Sequence, residues 1–481
     1  MHIVLVTLEY PTESYRAGGM GWAFAKLAKG LSDRGHRITV VVRSEMKDEV
    51  RDEQGHKVRR YKVDKMLSAV LRRRLDWRLP VAVRGYDQAV SLYLALDDLD
   101  REESIDVILA AVSPDLSLGL ASRRWPWVCR ISSHWPLMSV SNFFPQTKEG
   151  FWRAAFEEYG LKQATKLLAP SRLHQSIYND LGFDRVEHLL TPVSRFDLSS
   201  SLKGMVAQRL GEGVRYLVFY GSLQGKKGAH IFADALVSLL KKHAELHVVW
   251  IGRDLVAPGW GSMVEHVQRT LQDVGPRNHL LGVVDQAEAF AWMAQAEWVI
   301  LPSIMDNLPN TLLEAMMLGR PVLVTRRSGT DDMIEDGVNG VIVEPNDVVS
   351  LAQGLERALS MDEADRGKIG RCARETVEQM CDPSRQAQRL EAILSEACDG
   401  RSRRSFRPTL SRLFRVAWNL HWAYLTARYC LFGVPRTAVR TLEKLCRAYL
   451  PGYQIPVLCG GDADRAGSPR LAALSGRGDV V

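Results

Sequence analysis

Cysteine is scarce and scattered: seven residues (129, 372, 381, 398, 430, 446 and 459) among 481, with no C-x-x-C pair and no metal-type spacing. An odd, dispersed set of this kind excludes a disulfide framework and reads as reduced cytosolic thiols. No H-x-E, D-x-D or Cys/His set points to a metal, so no metal site is expected. The chain opens directly on an apolar run, His2 to Thr7, without a basic segment and apolar core before it, so no secretory signal is evident. The nearest approach to a membrane span, Val416 to Pro435, contains Asn419, His421 and Arg428, which argues against a crossing helix. There is no short-period internal repeat.

What is present is an ordinary globular composition, 46% hydrophobic and 25% charged. A chain of 481 residues exceeds the size at which a single core stops growing, roughly 250–300 residues, so two domains and a tail are expected. Charge is unevenly placed. Residues 401–450 hold eleven Lys or Arg against Glu443, and 451–481 are balanced, which leaves 7 − 10 = −3 on the first 400 residues. The near-neutral body gives no reason to expect a nucleic-acid partner.

Short β-rich runs alternate with helical patterns through the body. Ile3–Thr7, Ile38–Val42, Asp106–Ala111, Trp127–Ile131 and Lys166–Ala169 read as strands, and Gly21–Asp33 as an amphipathic helix closed by Gly35. From Arg215 the scheme repeats, with strands expected at Tyr216–Tyr220, His247–Ile251, His279–Leu281, Trp298–Leu301, Pro321–Val324 and Val341–Val343. Such alternation predicts doubly wound parallel sheets, with the ligand site in the crevice at the strand C-termini. The expected units are a Rossmann-like domain over 1–192, a linker over 193–213, a second Rossmann-like domain over 214–372, closing helices over 373–400, a basic aromatic helical extension over 401–459, and a disordered tail over 460–481.

Chemistry concentrates in Pro302 to Thr325, PSIMDNLPNTLLEAMMLGRPVLVT. Asp306 lies in a polar loop and Glu314 eight positions later in a helix, beside a helix N-terminus that favours anions. A ligand with both hydroxyls and phosphates, such as a nucleotide-sugar, suits that combination. A structural alternative stands beside it: Thr311 and Glu314 spell a T-x-x-E capping box, and Pro309 is ordinary near a helix start. Two further loops follow first strands. Gly18-Gly19-Met20-Gly21 is either a phosphate-approaching loop or a flexible turn. In Gly221-Ser-Leu-Gln-Gly-Lys-Lys-Gly228 the order strand, Gly, Lys-Gly, helix makes Lys227 either a functional cation or a solvated loop lysine.

The Pro302–Thr325 segment resembles the Glu-x7-Glu region of the large retaining glycosyltransferase family with two Rossmann-like domains, GT4 with the GT-B fold. Many members read P-S-x-x-E-G-F-G-x-x-x-L-E-A-M-A-x-G-x-P-V-V, and a subset reads D-N-L-P-N-T as here, with Asp306 in place of the first Glu. The likeness covers residues 1 to about 397. It implies a GT-B α/β fold and sugar transfer from a nucleotide-diphosphate sugar, a co-substrate rather than a bound cofactor. It also implies retention of anomeric configuration.

By this resemblance, Gly18 and Gly19 abut the donor diphosphate and acceptor pocket. Lys227 of G-R-L-x-x-x-K-G reaches the diphosphate, with Ser222 replacing the Arg; Lys226 or Arg253 is available to compensate. Asp306 faces the donor sugar and Glu314 the ribose hydroxyls, since a carboxylate accepts two bonds from a vicinal diol. Backbone amides across Asn307, Leu308, Pro309, Asn310 and Thr311 hold the diphosphate. Asp332 takes the acid position of a G-x-P-E-x-I turn. His134, beside Trp135, is the candidate at the reacting centre, or a packed structural His. With no D-x-D manganese site evident, a metal-independent reaction is expected.

The acceptor is less legible. Leu67, Val70, Leu71 and Leu75 share a helical face within 65–78, and the 401–432 stretch sets Arg401 to Arg415 beside Trp418, Trp422, Tyr424 and Phe432. Basic residues next to aromatics read as an interfacial helix on an anionic membrane, with a glycan or lipid-linked acceptor and a cytoplasmic, inner-face location. A helical pair packed on the body is the alternative. Two other functions stay open: a silent glycosyltransferase-like scaffold, kept alive by Ser222 and Asp306, and a same-fold epimerase.

Overall fold

The computed structural model describes residues 1–11, 18–44, 50–53, 55–64, 80–120, 124–131, 135–142, 148–196, 200–255 and 261–399. The expectations on His134, on 65–78 and on everything from 400 onward lie outside these residues.

Ile3 to Val6 are fully buried, as are Val40 to Val42 and Val107 to Ala111. Strands apolar along their whole length need cover on both faces, which a parallel sheet between helix layers supplies. The first sheet has eight strands: β1 (His2–Thr7), β2 (Arg37–Arg43), β3 (Val50–Glu53), β4 (His56–Tyr61), β5 (Val107–Ala111), β6 (Trp127–Arg130), β7 (Lys166–Ala169) and β8 (Val186–His188). Their order is β3-β4-β2-β1-β5-β6-β7-β8, all parallel except β3 on β4. The second sheet has six: β9 (Tyr216–Tyr220), β10 (His247–Ile251), β11 (Asn278–Gly282), β12 (Trp298–Leu301), β13 (Val322–Thr325) and β14 (Val341–Val343). They run in the order β11-β10-β9-β12-β13-β14, parallel throughout.

Helices α1 (Gly19–Asp33), α2 (Pro80–Glu102), α3 (Pro114–Leu120), α4 (Trp135–Ser141), α5 (Lys148–Leu161) and α6 (Arg172–Asp180) belong to the first half. The second carries α7 (Ser200–Leu210), α8 (Ala229–Lys242), α9 (Met263–Thr270), α10 (Gln286–Gln295), α11 (Asn310–Met317), α12 (Val348–Leu359) and α13 (Glu363–Met380), and α14 (Pro383–Asp399) closes the described chain. Helix α1 buries Phe24, Leu27, Ala28 and Leu31, the helical spacing visible in its sequence. The larger of these, Phe24, Leu27 and Leu31, stabilise by roughly 1.5–3 kcal/mol each.

Strand order reverses between β1 and β5 in the first sheet and between β9 and β12 in the second. These switch points open crevices at the strand C-termini. The loops after β1, β9 and β12 therefore converge on one cleft.

Two strands of chain join the halves. Residues 189–193 pass outward and Cys381–Pro383 returns, tied where the Val193 N–H donates to the Cys381 carbonyl at 3.0 Å. Helix α14 then buries Leu390, Ile393, Leu394 and Ala397 in the first core. The 193–213 stretch is more than a connector: it carries α7, whose Val206 joins the second core.

Candidate active site

The loop after β9 owes its shape to one glycine. Residues Gly225–Lys227 form a short 3-10 turn capped by Gly228 at φ 68°, in the left-handed region. A β-carbon on Gly228 would stand 1.9 Å from the Pro302 carbonyl oxygen, so no other residue fits. The turn is pinned to the loop after β12, because the Ile304 N–H donates to the Lys226 carbonyl at 2.8 Å. Lys227 is thereby aimed at Asp306, and its ammonium hydrogen-bonds the Asp306 carboxylate.

Asp306 is buried at 7% exposure. Burial alone would raise its pKa; the charges of Lys227 and Lys226, with hydrogen bonds from Lys227 and the Asn307 N–H, overcome that and hold it below the usual range. Lys226 is driven the other way, its pKa lowered by burial against the attraction of Asp306.

Helix α11 begins two residues earlier than a capping box requires. Pro309 is the N-cap, with no side-chain cap, and Thr311 sits inside the first turn. The T-x-x-E spelling is therefore not used as a cap, and Glu314 is released from that role. It lies at 4% exposure on the cleft wall. Burial raises its pKa, opposed by Lys26. Within 307–311 the amides divide. Asn307 and Leu308 donate to the side chains of Asp306 and Asn307 at 3.0 and 2.8 Å. Pro309 has no N–H. Asn310 and Thr311 open the helix, where N–H groups lack intrahelical partners and can meet an anion.

The glycine loop faces α11 across the cleft. Asn310 Nδ2 donates to the Gly19 carbonyl at 2.9 Å, an interdomain bond. Glu9, which no sequence signal singled out, accepts from the Gly18 N–H at 3.0 Å and the Gly21 N–H at 3.2 Å. The N-terminus of α1 thus carries an internal anion. Ser222 accepts from Gln224 Nε2 at 2.5 Å. Arg253, the other possible compensation for the missing Arg, also lines the cleft.

His174, at the start of α6, is a second residue the sequence did not flag. It is buried, faces Asp306 and Lys226, and burial pushes its pKa down to about 4, with Asp306 opposing and Lys226 assisting. Arg130 at the end of β6 is buried and donates to the Leu189 carbonyl at 3.1 Å and Thr191 Oγ1 at 2.7 Å, clamping the crossover. Asp332 is used elsewhere: it accepts from the Arg172 N–H at 2.6 Å and stands 3.3 Å from His188 Nε2, latching the second domain to α6 and β8.

The cleft holds a cavity of about 600 Å³, bordered by Gly18, Gly19, Ser222, Lys227, Asp306 and the 307–311 segment with Glu314. That is the volume range of small-molecule sites. Among the described residues no group of three or more His, Cys, Asp or Glu is placed to hold a metal. Among the described residues a literal D-x-D occurs at Asp98 to Asp100 on α2, where Asp98 meets Arg101 at 3.4 Å and Asp100 meets Arg124 at 2.9 Å. The literal H-x-E, His243 to Glu245, follows α8, where His243 meets Glu356 at 3.2 Å and Glu245 meets Arg215 at 3.0 Å.

Two parallel doubly wound domains with this cleft define a GT-B glycosyltransferase architecture. The family described as "Glycosyl transferase 4-like domain" matches residues 18–193 and "Glycosyl transferases group 1" matches 214–361. The chain belongs to the group 1 glycosyltransferases. An uncharacterized glycosyltransferase of Methanocaldococcus jannaschii is 25% identical over 372 residues, 75% of this chain and 89% of that one. Sucrose-phosphate synthase of Thermosynechococcus elongatus superposes with a TM-score of 0.67 at 15% identity, covering 83% of this chain and all of that one. HepE of Anabaena, solved with UDP-glucose, superposes at 0.62 with 18% identity over 82% of this chain and all of that one. At these identities the likeness is one of fold. No helix among the described residues is long and apolar enough to cross a membrane.

Proposed function

We propose that the chain transfers a sugar from a nucleotide-diphosphate sugar to a glycan or lipid-linked acceptor, with retention of anomeric configuration and without a metal. The observation that carries this reading is the convergence of Lys227, Asp306, Glu314 and the open end of α11 on one cavity. A nucleotide-sugar has a complement for each. Glu314 accepts from the ribose diol, the Asn310 and Thr311 amides meet the diphosphate, and Asp306 faces the sugar hydroxyls. Lys227 stabilises the charge that develops on the leaving diphosphate, with the α11 dipole behind it. The UDP-glucose held by the Anabaena neighbour is a donor of this class.

The basic, aromatic 401–432 segment supports an acceptor presented at an anionic membrane surface, as in surface polysaccharide or glycolipid assembly. A second reading, a silent nucleotide-sugar-binding scaffold, is favoured by the pairing of Lys227 with Asp306 and of Ser222 with Gln224. Turnover separates the two. Slow hydrolysis of a nucleotide-sugar, lost in Lys227→Ala, supports the transferase; nucleotide-sugar binding without any hydrolysis or transfer supports the scaffold. A free epimeric sugar as product would point to an epimerase. The anomeric configuration of the product, read by NMR, tests retention.

A further inference from the structure

Gly19 and Asn310 both line the cavity, one from each domain, and they touch. Asn310 is the first residue of α11 after the Pro309 cap, and its side-chain Nδ2 donates to the Gly19 carbonyl in the first turn of α1 at 2.9 Å. A carbonyl only accepts, so of the two polar atoms of the Asn310 amide only the nitrogen can serve. Gly19 has helical backbone, so its own conformation does not demand glycine. The contact does: a β-carbon there would stand 3.2 Å from Asn310 Nδ2 and 3.8 Å from its Cγ, crowding the bond. Glu9 holds the same loop from its other side, accepting from the Gly18 N–H at 3.0 Å and the Gly21 N–H at 3.2 Å. Parting α1 from α11 has to break the Asn310 bond.

We propose that Asn310 is a positioning residue of the transfer site that ties the donor helix to the glycine loop: its side chain holds the Gly19 carbonyl while its own N–H, at the open end of α11, meets the donor diphosphate. This rests on the reading of the α11 N-terminus as the diphosphate site. One residue then serves both domains, and a donor that orders the start of α11 also fixes the loop of the first domain. The dependence is reciprocal. If the donor favours the tied loop, removing the tie weakens the donor by the same factor.

The test uses the full chain with Asn310→Ala, Gly19→Ala and the double variant, titrated with UDP, GDP and ADP by calorimetry. Hydrogen–deuterium exchange of the 18–24 segment is followed with and without nucleotide. Nucleotide is expected to slow exchange of 18–24 in wild type; in Asn310→Ala that slowing is lost while slowing at 307–313 persists. Asn310→Ala should bind roughly fivefold more weakly, the net worth of one neutral hydrogen bond. Gly19→Ala should weaken binding roughly threefold alone and add nothing to Asn310→Ala, the non-additivity of two groups in contact. An Asn310 that merely touched the donor would leave the cost of Gly19→Ala equal in both backgrounds. That equality, or undiminished slowing of 18–24 in Asn310→Ala, overturns the proposal. If no nucleotide binds wild type, the donor reading fails. Faster exchange of 18–24 in ligand-free Asn310→Ala than in wild type then still sustains the tie, and equal exchange overturns it.

Discussion

Gly228 stands so close to Pro302 that a β-carbon on it would approach the carbonyl oxygen to 1.9 Å. This contact locks the loop after β9 to the loop after β12 and decides where Lys227 points. Gly228→Ala must both adopt a left-handed conformation, at about 1–2 kcal/mol, and push the Pro302 peptide away. A loss of about 2 kcal/mol or more in unfolding free energy by denaturant titration is expected, with sugar transfer lost alongside.

Removing Lys227 leaves Asp306 buried beside Lys226 alone. Lys227→Met should destabilise the fold and reduce turnover by about 10²–10³-fold. Lys227→Met/Asp306→Asn should recover part of the stability and none of the turnover. A double-mutant cycle on unfolding free energies is expected to give a coupling of about 1–3 kcal/mol.

His174 makes stability fall in mild acid. Its folded pKa of about 4 lies below the ordinary histidine value. The stabilisation is therefore present above the unfolded pKa and lost as pH falls through the folded one, a window from about 6.5 down to about 4. Asp306, also depressed, adds a loss at still lower pH, whereas Glu314, raised by burial, contributes stability that is lost as pH rises through its folded pKa. His230, pushed down to about 4 by burial, acts in the same direction as His174. Thermal melts between these limits should decline with acid, and His174→Gln should decline less, by on the order of 3 kcal/mol.

Glu9 satisfies two amides at the start of α1. Glu9→Ala should cost about 1 kcal/mol, the ordinary value of an N-terminal cap, and Glu9→Gln less, since an amide oxygen still accepts. Calorimetric melts of the two variants check the order.

Much of this architecture is written in the sequence because interior parallel strands are apolar throughout. Tyr216–Tyr220, His247–Ile251, Trp298–Leu301 and Val341–Val343 have the bounds their composition predicts, and β11 and β13 differ by one residue at each end. The strands that composition hid are peripheral. β4, His-Lys-Val-Arg-Arg-Tyr, alternates charge with burial, β3 pairs only with it, and β8 is three residues long at the sheet edge. Lys227, Asp306 and Glu314 were legible because each follows a strand or opens a helix in chain order. Glu9 and His174 were not, since only the packing of loop and helix sets Glu9 against the Gly18 and Gly21 amides and His174 near Asp306 and Lys226. The capping-box spelling of Thr311 and Glu314, the structural alternative, is not used for a local reason: Pro309 starts α11 before Thr311 can cap it.

The central claim, that the cleft is a nucleotide-sugar donor site, is tested most directly by thermal shift of purified protein with UDP-, GDP- and ADP-sugars, Glu314→Ala beside wild type. A stabilising shift for one nucleotide family that disappears in Glu314→Ala is the predicted result. A folded protein that shifts with none of them, or a shift of equal size in Glu314→Ala, would contradict it.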